Sequence, residues 1–146
     1  MSMQHPDHHD AELALRVYDL RREAVMRASR NAIARDFWPK TYEELRAVMT
    51  QPDHALNAPY RQVATYWELV YGMVRHGIVH AEYFLESNGE GLFLFAKVHP
   101  FLAEIRRDTS PRAFANTEWV AVHCEPGRRI YEQVAARVRK MASESR

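Results

Sequence analysis

Cysteine, glycine and net charge are all scarce in this chain. Of its 146 residues only five are glycine, and Cys124 is the one cysteine. A single cysteine excludes an intramolecular disulfide and a cysteine-based zinc cage, and it suits a reducing compartment. The formal net charge is +1, so composition points to no nucleic-acid, membrane or strongly charged partner. Long apolar runs are missing too. The two most apolar stretches, Val63–Val74 and Leu92–Val98, are too short to span a bilayer, and Glu68 interrupts the first. The polar opening residues lack the apolar segment of a secretory signal. These absences make the cytoplasm the expected location and give no reason to expect membrane insertion.

What is present reads as one globular, helix-rich domain. The apolar fraction is 47% and the charged fraction 27%, so disorder is expected only at the ends. A chain of this length buries roughly two-thirds of its unfolded surface without help from a metal or disulfide. Residues 1–9 are read as a flexible tail, 10–142 as a single all-α domain and 143–146 as a second tail. Most basic residues are Arg, which suits planar, bidentate pairing, although genome base composition produces the same bias.

Hydrophobic spacing outlines the helices. The first is predicted from Asp7 or Asp10, either a suitable N-cap, to about Arg35, with Leu13, Val17, Leu20, Ala24, Ala28 and Ala32 on one stripe. Phe37-Trp38-Pro39 closes it. Thr41-Tyr42-Glu43-Glu44 is a capping box that opens a short helix, and residues 51–59 form a loop. The next helix is the most apolar: Tyr60, Val63, Ala64, Trp67, Val70, Tyr71 and Val74 share a face, and Tyr66, Leu69 and Met73 add a second strip. Arg75-His76-Gly77-Ile78 is a helix-end pattern, with Gly77 left-handed and Ile78 folding back. A short helix follows over Val79–Glu86, then one from Gly91 to Arg107 that Pro100 should kink. Ser110-Pro111 reads as N-cap and first residue of a helix that stops near Glu125, and the last helix runs over Gly127–Ala142. The sum is an irregular all-α bundle of about six or seven helices around the Val63–Val74 helix. Only Leu92–Phe95 could be argued as a strand.

Several local patterns bear a family likeness: Leu20-Arg21-Arg22 with Met26-Arg27, Tyr66-Trp67-Glu68-Leu69-Val70-Tyr71-Gly72-Met73-Val74 running into Arg75-His76-Gly77-Ile78-Val79, and Pro100 followed by Arg106. On these, residues Ala11 to Val122 resemble a bacterial all-helical family known as a domain of unknown function. Some members follow a transmembrane helix, which is not seen here. The resemblance implies an all-helical fold and carries no activity, cofactor or site residue with it.

Motifs that would carry chemistry are incomplete. His76 and His80 have i, i+4 spacing, with Glu82 nearby, but Gly77 should end the helix between them, so a shared metal face is not expected. His80-Ala81-Glu82 echoes half of a zinc-deaminase motif whose paired cysteines are missing. No Glu-x-x-His occurs, Gly89-Glu90-Gly91 lacks a preceding strand and a third glycine, and His123 and Cys124 diverge by about 100° on a helix. His5, His8 and His9 with Asp7 and Asp10 could collect a metal adventitiously. No metal site, cofactor or catalytic residue is predicted. Glu68 stands out because an unpaired carboxylate in the most apolar helix is costly. It either points to a polar strip with Arg61, Thr65 and Arg75, or forms a structural ion pair with Arg106.

Three readings of function follow. The first is a non-catalytic helical interaction module, self-associating or binding another bacterial protein, because Trp38, Trp67 and Trp119 exceed what one core readily takes. The second is an enzyme or small-ligand binder with an interhelical site using Glu68, His76, His80 or His99. The third is weak nucleic-acid binding through Arg21, Arg22, Arg27, Arg30 and Arg35, diluted by Glu23 and Asp36.

Overall fold

Residues 5–144 are described by a computed structural model. Among them the chain forms nine α-helices, one turn of 3-10 helix and no strand. The helices are α1 (His8–Arg22), α2 (Ala24–Asp36), α3 (Tyr42–Thr50), α4 (Asn57–Arg75), α5 (Ala81–Glu86), α6 (Glu90–Val98), α7 (Leu102–Asp108), α8 (Ala115–His123) and α9 (Glu125–Glu144), with the 3-10 turn at His99–Phe101. The predicted tails shorten, since His8 and Glu144 are helical; residues 1–4 and 145–146 of those tails lie outside the described residues.

The all-α expectation holds, but two long helices are broken. The helix predicted from Asp7 or Asp10 to about Arg35 stops at Glu23, whose backbone leaves the helical region at φ −54° and ψ 143°. Its carboxylate accepts from the Val25 and Met26 amides at 3.0 and 2.9 Å, so this one residue ends α1 and caps α2. The Gly91–Arg107 helix separates into α6 and α7, because Pro100 has no amide to continue the ladder and a 3-10 turn fills the gap. Leu92–Phe95, the strand-like segment, lies wholly within α6.

Other boundaries follow local chemistry. At α1, Asp7 and Asp10 form a reciprocal capping box. The Thr41 hydroxyl accepts from the Glu44 amide at 3.2 Å, but Glu44 returns to the Lys40 amide at 2.8 Å rather than to Thr41. The loop before α4 is shorter than predicted. Buried Asn57 donates to the Val48 and Met49 carbonyls, which draws the start of α4 onto the end of α3. Gly77 takes φ +70° and completes a Schellman turn, with Ile78 donating to Met73 and Gly77 to Val74. The chain then buries Val79 and leaves Ile78 half exposed.

Helix α4 packs against α2, α3, α6 and α8, as its apolar face predicts. Tyr60, Val63, Trp67, Val70, Tyr71 and Val74 are buried, whereas Leu69 of the predicted second strip is 75% exposed. Helix α6 is an equal centre, packed between α4, α8 and α9 with Leu92, Phe95 and Val98 fully covered. The α4–α6 approach depends on Gly91: a Cβ there would lie 2.6 Å from Tyr71 and 2.7 Å from Trp67.

Candidate functional site

The predicted site residues are dispersed. His76 is an exposed residue ending α4. His80 caps α5: its Nδ1 accepts from the Tyr83 amide at 3.1 Å, and its own amide donates to Asp10 at 2.7 Å. His99 stacks on Phe95, with Nδ1 2.9 Å from the Tyr131 hydroxyl. Cys124 is buried, and burial pushes its thiol up, while adjacent His123 is exposed. Among the described residues no three His, Cys, Asp or Glu side chains are grouped to hold a metal.

The expected Glu68–Arg106 pair is replaced by two other arrangements. Glu68 accepts from the Asn116 amide at 2.7 Å, the Thr117 amide at 3.0 Å and the Thr117 hydroxyl at 2.8 Å. It is therefore the N-cap of α8 supplied from α4, a position where the helix dipole favours a carboxylate. The cap is needed because Phe114, which precedes α8, is left-handed at φ 60° and has no side-chain cap of its own. Arg106 instead pairs with Glu118 at 3.0 Å and donates to the Ala113 carbonyl. Ser110-Pro111 forms a turn rather than the predicted helix start, with the Ser110 hydroxyl accepting from Arg112.

The basic stretch of the first two helices is largely engaged within the fold. Arg30 makes a bidentate contact with Glu90 at 2.7 and 2.9 Å, Arg35 pairs with Asp36, and Arg21 donates to Ser87 and lies over Tyr18 and Trp67.

The arrangement with most chemical potential is an apolar slot of about 370 Å³ between the α2–α3 connection, α6, the 3-10 turn and α9. Trp38, Pro39 and Lys40 form one wall, Ala96, Lys97, Pro100 and Phe101 the floor, and Val138, Arg139 and Ala142 the other wall. The sequence builds it from three irregularities. Pro39 holds Trp38 outside α2, Pro100 interrupts α6, and α9 is long enough to reach across both. Trp38 is fixed by its indole N–H donating to Arg35 at 3.2 Å and by an edge contact with Phe93.

Lys97 is the unusual group. It is only 5% exposed, yet its ammonium meets no carboxylate among the described residues. It lies 3.8 Å from the Trp38 ring centre and 4.8 Å from that of Phe93, and donates to the Ile33 carbonyl at 3.0 Å in the last turn of α2. Ring faces and a helix C-terminus both favour a cation. Burial still weighs against the charge and pushes the amine down to about 8. The sequence marks Lys97 only as the one charge in the Leu92–Val98 stretch. Trp38, an aromatic with no assured place in the core, is half-buried on the slot wall.

Among the described residues the slot lining holds cations and apolar walls, with no carboxylate, imidazole or thiol. No helix among the described residues is long and apolar enough to cross a membrane. Neither the curated proteins nor the solved structures give a match to this chain. The family described as Domain of unknown function (DUF4760) matches residues 6–124, and the chain belongs to it.

Proposed function

We propose that this protein is a non-catalytic helical binding module that takes a small apolar molecule in the slot between Trp38, α6 and α9. The observation that carries the reading is the slot itself: about 370 Å³ with Trp38, Phe101, Pro100 and Val138 around it. That volume is at the lower end of ligand pockets, which are mostly apolar and carry a few polar groups. A neutral, environment-sensitive dye such as Nile red tests it without reference to charge. The wild-type protein should enhance its fluorescence saturably. Ala142→Trp, which fills one wall, should abolish that response, and Ala136→Trp on exposed α9 surface should not. Equal dye uptake by both variants, or none by the wild type, would count against the slot.

A second reading, self-association, rests on apolar side chains left in solvent. Leu15 on α1 is 68% exposed, Val25 on α2 58% and Leu69 on α4 75%. Such residues scattered singly are ordinary, whereas a contiguous patch marks an interface. Light scattering across the micromolar range decides it: a strict monomer removes this reading and leaves the slot untouched.

A further inference from the structure

We infer that the slot selects a small amphipathic monocarboxylate, its apolar tail against Trp38, Phe101 and Val138 and its carboxylate held by Lys97 and Arg139. This rests on the slot being a ligand site, and adds the ligand's charge and the residues that read it. Lys40, Lys97 and Arg139 line the slot, and no acidic side chain does among the described residues. None of these three forms an ion pair among the described residues, so no carboxylate there neutralises the slot. Lysine is rare in this chain, only Lys40, Lys97 and Lys140, and two of those three are at the slot.

A buried ammonium is costly unless paired, and the present partners of Lys97 are one carbonyl and aromatic faces. A carboxylate would give a charge-assisted hydrogen bond, stronger than either. Because Lys97 is already desolvated and held on Trp38, much of the cost of ordering it falls on folding rather than on binding. A neutral ligand would leave the cations uncompensated, and a cationic one would meet repulsion from three sides.

Isothermal titration with octanoate, 1-octanol and octylamine at pH 7 separates these cases. Octanoate should bind about tenfold or more tighter than octanol, as one charge-assisted hydrogen bond allows. Octanol equal to octanoate, or octylamine tightest, would overturn the inference. So would a failure of octanoate to bind while Nile red still does, with the slot reading left standing. Failure of the dye as well removes both. Arg139→Gln is at the surface and Lys97→Met keeps the volume; each should cut the preference for octanoate over octanol about tenfold. Unaltered octanoate affinity in both variants would assign binding to another surface.

A pH series adds an independent readout. Around Lys97 stand the Ile33 carbonyl and the Phe37, Trp38 and Phe93 rings, with Lys40 and Arg139 the other charges of the slot. Octanoate stays ionised above neutrality, so its affinity should fall as the Lys97 amine, pushed down to about 8, loses its proton. Lys97→Met should show no fall in that window. A wild-type profile identical to the variant's would exclude Lys97 as the anion's partner.

Discussion

Three buried or half-buried charges carry much of the structural logic at the residue scale. Glu68 holds the first amides of α8 from a neighbouring helix. Its Gln variant should lower stability by about 1 kcal/mol and Glu68→Ala by about 2, the range for a lost N-cap and an orphaned amide. Urea melts unchanged in both would remove the cap. Asp10 is fully buried and joins α1 to α5 by accepting from the Asp7 and His80 amides. Burial pushes its carboxyl up, but those amides outweigh it and the net position lies below the ordinary 3.8. The bonus is therefore complete above about pH 5 and is lost as pH falls through 3.8 and below. Asp10→Asn should show a shallower loss of stability in that window than the wild type.

Lys97 runs the other way. Its amine is near 8 when folded and 10.5 when unfolded, so between these values the unfolded chain binds more protons. Stability should then rise with pH across that window. The Lys97→Met urea midpoint should sit at or above the wild-type midpoint at pH 7 and stay flat where the wild type climbs. A wild-type profile that is also flat would mean that the amine is solvated in the fold.

Among the elements, the breaks are more informative than the helices. Pro100 and Gly77 announce theirs, because a missing amide and a left-handed backbone are properties of one residue type. Glu23 and Phe114 do not. Glutamate is an ordinary helix residue, and Glu23 ends α1 only because its carboxylate turns onto the Val25 and Met26 amides. Phe114 accepts a left-handed backbone because its ring is buried beside Phe95 and Glu68 completes the cap. Gly91 shows a third kind of constraint, a close approach with no conformational demand. Gly91→Ala should cost about 1–3 kcal/mol by forcing α4 and α6 apart, read as a lower urea midpoint with an unchanged slope.

At the level of the whole molecule, α4 and α6 share the centre, and α9 closes the structure over α5, α6 and α8. The family match ends at residue 124, while the slot wall of Val138, Arg139 and Ala142 comes from α9. The other slot-lining residues, Trp38 to Lys40 and Ala96 to Phe101, lie within the matched region, so the candidate site straddles its end. Helix α1 sits apart from that centre. It packs on α2 and α5, exposes Leu15, Tyr18 and Leu20, and buries only Asp10 and Val17. Its amides should exchange well before those of α4 and α6, since a helix with little buried apolar surface opens locally at small cost. Equal protection of α1 and α4 would show a single cooperative unit.

Periodicity, caps and the poverty of glycine and cysteine determine an all-helical chain, the buried face of α4, the Gly77 end and the interruption at Pro100, because each is written in neighbouring residues. Tertiary structure alone decides which charge meets which amide. Glu68 was legible as costly but not as the cap of a helix 48 residues away in the chain, and Arg106 finds Glu118 instead. The slot was less legible still. It depends on Trp38, Lys97 and Arg139 converging from three separate segments, and no local spacing encodes such a meeting.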